Sequence, residues 1–234
     1  MEEILASMYA SALLAVQETP VLGQGQSLSF ADIWEGGGFM MWPLGACFAI
    51  GMLIIVWKFF SLTGQAAANR KLLKEVDGLI AQQRLDQALA VCEDSSAPAG
   101  TILAAGLKRY NEGAERVTQA IENAGAIEVS KLESGLVWLA TLANVAPLLG
   151  FLGTVIGMIQ AFQAIEIAGE VEATLVAGGI KVALITTASG LAIAIPINIA
   201  HNYFVTRVDR IVIDMEESAQ KMIDAVHAIE RGAA

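Results

Sequence analysis

Residues Ser134–Ile165 read SGLVWLATLANVAPLLGFLGTVIGMIQAFQAI, a run without one charged side chain, bounded by Glu133 and Glu166. After a short acidic connection, a second run over Ala173–Thr206 carries only Lys181 and His201. Each is longer than the ~20 apolar residues a bilayer core requires. Neither is a Leu-rich anchor. They hold Thr141, Asn144, Pro147, Thr154, Thr186, Thr187, Ser189, Pro196 and Asn198, with Gly150, Gly153, Gly157 and Gly190 among them. Polar atoms facing lipid cost free energy. Small and hydroxyl-bearing residues suit helices that pack on one another or line a path for something polar.

Working outward, a third apolar run over Phe39–Trp57 ends at Lys58 and can continue through Phe59 and Phe60. Pro43 falls in its first turn, where proline is tolerated, and aromatic residues cluster at both ends as an interfacial belt. The composition agrees, with 55% hydrophobic and only 16% charged residues. A net charge of −10 argues against a nucleic-acid partner, which calls for a basic face. Cys47 and Cys92 fall in regions that should not meet, and no Cys/His spacing suits a metal.

Lysine and arginine placement orients the spans. Residues 1–38 and the connection 166–172 contain none, whereas residues 63–134 and the tail after Thr206 contain many. The positive-inside rule therefore places the N-terminus outside and the C-terminus in the cytoplasm. The expected fold class is an all-α integral membrane protein with three transmembrane helices, the second and third extended into a helical cytoplasmic bundle. Its divisions are an external segment 1–38, spans 39–62, 134–165 and 173–206, a cytoplasmic region 63–133, an external connection 166–172 and a cytoplasmic tail helix 207–234. Residues 4–16 read as a short external helix lying on the membrane, since Glu2 and Glu3 replace the positive start of a signal peptide.

Apolar positions at helical spacing predict one helix over 66–93, a second after the Ser95–Pro98 break, and a third from Ala114. The pattern from Ala114 runs into the second span with no proline before Pro147, predicting one continuous helix. The tail pattern likewise continues the third span, predicting a helix of about 80 Å over 174–229. The cytoplasmic part has no strand alternation and no phosphate loop, so neither an enzyme domain nor a cofactor is expected.

The segment Ala146–Phe162, APLLGFLGTVIGMIQAF, closely resembles the signature of the MotA/TolQ/ExbB proton-channel family. Gly179–Pro196, GIKVALITTASGLAIAIP, resembles that family's next helix, and GGGFMMWPLGACFAIGMLIIVWKFF resembles the first span of its ExbB/TolQ branch. The resemblance implies a pentameric ring in the bacterial inner membrane. The ring would surround a dimer of a one-span ExbD/TolR-like protein whose helix carries an essential aspartate. Proton flow along that interface would drive work in the envelope. By position, Thr154 and Thr187 match the family's pore threonines, with Thr186 beside them, and Pro147 and Pro196 match its span prolines. Where many members have glutamate in a GIxEAL pattern, this chain has Val182, preceded by Lys181.

The residues themselves leave roles open. A proton path needs a protonatable carrier and a hydrated lining. Neither long span offers Asp or Glu, so a partner must supply the carboxylate. Threonine in a membrane helix can instead simply bond its own i−4 carbonyl. Pro147 and Pro196 fit a static kink or a hinge equally. Gly153 and Gly157 form a GxxxG suited to close helix contact, as Gly190 is, and the small residues of both spans suggest a tight homo-oligomer. Lys181 either snorkels to the outer interface or rings the outer mouth. Membrane lipid is the remaining expected neighbour. A stand-alone transporter or solute channel lacks an internal repeat and a coupling acid here, and a purely structural scaffold leaves the aligned threonines without a purpose.

Overall fold

The computed structural model describes residues 30–232 apart from 83 and 171, so the surface helix expected over 4–16 lies outside the described residues. The described chain is helical, with no strand. A short helix α1 (Phe30–Gly36) and a single 3-10 turn lead into α2 (Met41–Ala81), a helix of 41 residues. Trp34 of α1 packs edge-on against Trp42, with ring centroids 5.7 Å apart, and covers Gly45.

The first span and the helix expected to begin at residue 66 are one element. Nothing between them stops a helix: Gly64 is followed by Gln65, Ala66, Ala67 and Ala68, all good helix formers. The expected single helix over 66–93 instead breaks after Ala81. There the N–H groups of Gln82 and Arg84 both turn back to the Leu79 carbonyl. The break lets Ile80 and Leu85, close in sequence, both enter the core at 4% and 6% exposure.

Helix α3 (Leu85–Glu93) is followed by α4 (Pro98–Leu107), which begins with proline in its first turn. Its start is capped from a distance: the Asn69 side-chain oxygen on α2 accepts the Ala99 N–H at 2.9 Å. Helix α5 (Ala114–Glu133) enters through Gly113 at φ 101°.

The expected continuity from Ala114 through the second span does not hold. Helix α5 ends at Glu133 and α6 (Leu136–Ala168) starts anew after Gly135, whose φ of +86° is a left-handed conformation that glycine adopts at little cost. A helix end leaves carbonyls without partners. Lys58 of α2, only 3% exposed, supplies them, donating to the carbonyls of Leu132 at 2.7 Å and Ser134 at 2.6 Å. The second span thus meets its bundle helix at a pinned joint.

Helix α6 ends at Ala168 and is followed by Gly169 in a left-handed conformation (φ 72°), and α7 (Ala173–Gly232) then runs 60 residues without interruption. At 1.5 Å per residue that is about 90 Å, so one rod carries both the third span and the tail helix, as expected. At one end of the molecule α2, α3, α4, α5 and α7 enclose a core that includes Val76, Leu103, Leu107, Val117 and Met222, each nearly inaccessible. Lys221 on α7 ties to Asp77 on α2 at 2.8 Å, an exposed pair that orients more than it stabilises. At the other end α2, α6 and α7 run on with α1 beside them, and these three are long and apolar enough to cross a membrane. Their outward faces, among them Leu148, Phe151, Leu184, Ile195 and Ile199, are exposed in the single chain, as lipid-facing or neighbour-facing surfaces must be.

Candidate functional site

The α6–α7 pair is the most extensive helix contact in the molecule, and glycine makes it so. Gly150, Gly153 and Gly157 of α6 face Gly190, Thr186, Ala183 and Gly179 of α7. A Cβ on Gly157 would come within 2.7 Å of the Gly179 carbonyl oxygen, and one on Gly190 within 2.7 Å of the Ala146 carbonyl oxygen. One on Gly150 would press on the backbone of Thr186, Thr187 and Gly190 at 3.0–3.3 Å. The two backbones are therefore in near-direct contact, the geometry that small residues permit in membrane helices. The GxxxG of Gly153 and Gly157 works within the chain, between its own two long spans.

This seam separates two adjacent threonines. Thr186 is fully buried, fills the space over Gly153, and donates its hydroxyl to the carbonyls of Val182 and Ala183 at 3.0 and 2.9 Å. It is a packing residue at the seam, turned away from any open face. Thr187 is half-buried and lies between helices. Its hydroxyl stands 3.2 Å from the Gly150 carbonyl of α6 and 3.1 Å from the Ala183 carbonyl of α7. Thr154, also half-buried, sits one turn beyond Gly150 on the same side of α6 and bonds the Phe151 carbonyl at 2.6 Å. Thr141 and Asn144 also return to their own helix, at the carbonyls of Val137 and Ala140. Among these polar side chains of the span, Thr187 reaches across to the other helix.

The bonding state has a chemical consequence. A threonine hydroxyl whose proton is held by a backbone carbonyl still offers its oxygen lone pairs. Thr187 and Thr154 therefore present acceptors to whatever enters the seam's open side, suited to a water or to the O–H of a protonated carboxyl. Rotation of the hydroxyl would turn the same group into a donor for a carboxylate.

Pro147 and Pro196 lie inside α6 and α7, and both helices continue through them. Proline withholds the N–H that would bond the carbonyl four residues earlier, here Ala143 and Ala192. Next to Pro196, Ile197 is 2% exposed and packs on Gly51 of α2, which seats the first span against the third. Lys181 is exposed, and its aliphatic chain passes Gly36 at the end of α1, before the first span begins. Ile185, one turn further along α7, meets the same Gly36. His201 touches Asn202 at 3.4 Å, and Asn202 in turn bonds Asn198. Among the described residues no cluster of His, Cys, Asp or Glu could hold a metal ion.

The model of the MotA/TolQ/ExbB proton channel family matches residues 94–217, more than half of the chain and all of the α6–α7 seam. The chain belongs to this family. Its relatives place it in the ExbB/TolQ branch of that proton-channel family. It is 37% identical, over 57% of its own length and 47% of the relative's, to a putative biopolymer transport protein ExbB homolog of Methanothermobacter thermautotrophicus. It is 39% identical to the Tol-Pal system protein TolQ of Haemophilus influenzae over 43% of this chain and 44% of that protein. A longer match, 30% identical over 81% of this chain and 61% of the relative, joins it to the biopolymer transport protein ExbB of Pseudomonas putida. For several of these relatives the match spans about half of their length.

Within this proton-channel fold, three positions act in ways no local sequence signal displays. Lys58 looks like an ordinary charge ending a span, yet it lies among Trp57, Phe59 and Phe60, where a lysine without a carbonyl target would be costly. Asn69 caps a helix thirty residues away, which no local pattern encodes. Gly179, the partner of Gly157, appears in the sequence only as half of a Gly-Gly pair.

Proposed function

We propose that the chain is the channel-forming subunit of a motor complex in the bacterial inner membrane, coupling proton flow to work in the cell envelope. The observation that carries this reading is the Thr187 hydroxyl, lodged between two spans that contain no acid of their own. A proton path needs a carrier that titrates, and threonine does not. The carboxylate therefore comes from a partner, of which a one-span ExbD/TolR-like helix bearing an aspartate is the matching kind. Several copies of this chain, five by family resemblance, would surround it.

In this reading Thr187 and Thr154 form a rung on each subunit that accepts a hydrogen bond from the partner's protonated carboxyl. The neutral acid is then held at the seam while the ionised acid leaves for a more hydrated position. The glycine seam keeps each subunit's two spans rigid as one blade. Lys181, which the lysine and arginine distribution puts on the outer side, would set the potential there without carrying the proton.

Thr187→Val tests this. It keeps the branched shape and deletes the hydroxyl, so folding and assembly should survive. A lost hydrogen bond costs roughly 1–3 kcal/mol, which slows a rate-limiting transfer by about one to two decades. The measurement is partner-dependent activity in cells at matched membrane abundance, beside Lys181→Met, which should do less. Normal activity for Thr187→Val together with loss for Lys181→Met would place the path elsewhere.

A further inference from the structure

We infer that the groove between α2 and α7 at the bundle end of the spans is a binding site for an anionic phospholipid. The groove has an apolar floor of Phe59, Leu62 and Phe204 and is overhung by Arg70, Arg207 and Tyr203. Its level in the molecule is set by the sequence. After Lys58, Arg70 is the first charged residue on α2; after Lys181, Arg207 is the first on α7, His201 apart. Arg207 therefore stands where the third span gives way to polar helix, and Arg70, about two turns past the end of the first span, lines the same groove from its other wall. That is the depth of a phosphate headgroup, with the acyl region directly below.

The side chains are arranged for a ligand with a negative head and an apolar tail. Arg207 is oriented by its neighbour. Its Nε donates to the Tyr203 hydroxyl at 3.0 Å and its guanidinium carbon lies 5.4 Å from that ring's centre, so the bond to Tyr203 engages Nε and not the two terminal nitrogens. Arg70 is 70% exposed and meets Asp214 only at the limit of an ion pair, 4.0 Å through Nε. Two guanidinium forks over one groove suit a phosphodiester, which accepts from both. Phe59, itself 48% exposed, lines the same groove with Leu62 and the buried Phe204 and offers an acyl chain apolar surface. The chain as a whole carries a net charge of −10, so a paired-arginine groove stands against the general charge of the surface. Soluble phosphate would satisfy the arginines but leave the aromatic floor uncovered, and the lipid covers both. This inference needs only that the spans lie in a bilayer, and it stands or falls apart from the proton path.

The test uses the full chain, purified in detergent, stripped of lipid and titrated with phosphatidylglycerol or phosphatidylcholine under native mass spectrometry. Phosphatidylglycerol should be retained in preference to phosphatidylcholine, and inorganic phosphate at millimolar concentration should not displace it. A basic residue near an anionic headgroup contributes about fivefold in affinity. Arg70→Gln with Arg207→Gln should therefore weaken phosphatidylglycerol roughly ten- to thirtyfold and abolish the preference, while Tyr203→Phe should have a smaller effect. Should the double variant fail to assemble, a benzophenone side chain at Phe59 in the otherwise unaltered chain decides. Cross-linking to phosphatidylglycerol in vesicles supports the site. Equal retention of the two lipids, displacement by phosphate, or cross-linking to a second copy of the chain overturns it.

Discussion

Gly178 and Gly179 are neighbours on α7 with opposite surroundings, and alanine at each gives a matched pair. A Cβ on Gly179 would lie 2.5 Å from the Gly157 carbonyl oxygen, 2.6 Å from the Ala161 Cβ and 2.9 Å from the Ala161 nitrogen. Ordinary van der Waals contact begins near 3.4 Å, so α6 and α7 must part by almost 1 Å at this point. Two of those three neighbours are backbone atoms, and no rotamer change relieves them. Overpacking of this kind costs about 1–3 kcal/mol, and separation would also loosen the contacts at Ala183 and Gly157. A Cβ on Gly178 meets nothing within 4 Å. There alanine gains helix propensity of roughly 0.8–1 kcal/mol. Alanine at Gly179 gains the same propensity, so the two variants should differ by the overpacking cost alone, about 1–3 kcal/mol, with Gly178→Ala the more stable. Denaturant unfolding in mixed micelles, followed by circular dichroism, measures the difference directly. If Gly179→Ala is as stable as Gly178→Ala, the backbones are not in contact and the seam described here is wrong.

Three further outcomes are expected. Lys58→Met should destabilise by roughly 1–3 kcal/mol, because the Leu132 carbonyl loses its donor in a buried position and the part-buried Ser134 carbonyl loses one as well; proteolysis near Gly135 would report the loosened joint, and an unchanged digestion pattern would count against it. Cys92 is 2% exposed, and burial pushes its thiol from 9.0 up to about 11. The folded chain keeps this proton between those values while the unfolded chain releases it, so stability is intact below pH 9 and falls as pH rises toward 11. The loss should reach about 2–3 kcal/mol; Cys92→Ala should flatten that alkaline limb, and parallel curves would show that the thiol is not the titrating group. Finally, a maleimide that cannot cross the inner membrane should label cysteine at Glu172 and spare cysteine at Glu112, since the lysines and arginines gather on the latter's side; the reverse pattern would invert the topology.

Reading the chain alone, the three spans, the all-helical class and the long third helix were legible because each depends on local quantities. Hydropathy over about 20 residues and the 3.6-residue period need no knowledge of neighbours. The motifs in Ala146–Phe162 and Gly179–Pro196 also mark the two spans that form the seam, with Thr154, Thr186 and Thr187 within them as candidates. What required the tertiary structure was every pairing between distant segments. Periodicity states that Thr186 and Thr187 point about 100° apart, but not which of them faces the neighbouring helix. The packing of Gly153 against Thr186 decided that, burying one hydroxyl and leaving the other between helices. The same limit hid the break at Gly135. A glycine inside an apolar run is compatible with a continuing helix, and only the carbonyls turned toward Lys58, 74 and 76 residues away, make the left-handed turn the stable choice. Asn69 capping α4 and Gly179 receiving Gly157 follow the same logic. Helix formation is a local free energy that the sequence displays residue by residue, whereas the choice of neighbour is made by close packing and by buried polar groups seeking partners wherever the fold brings them.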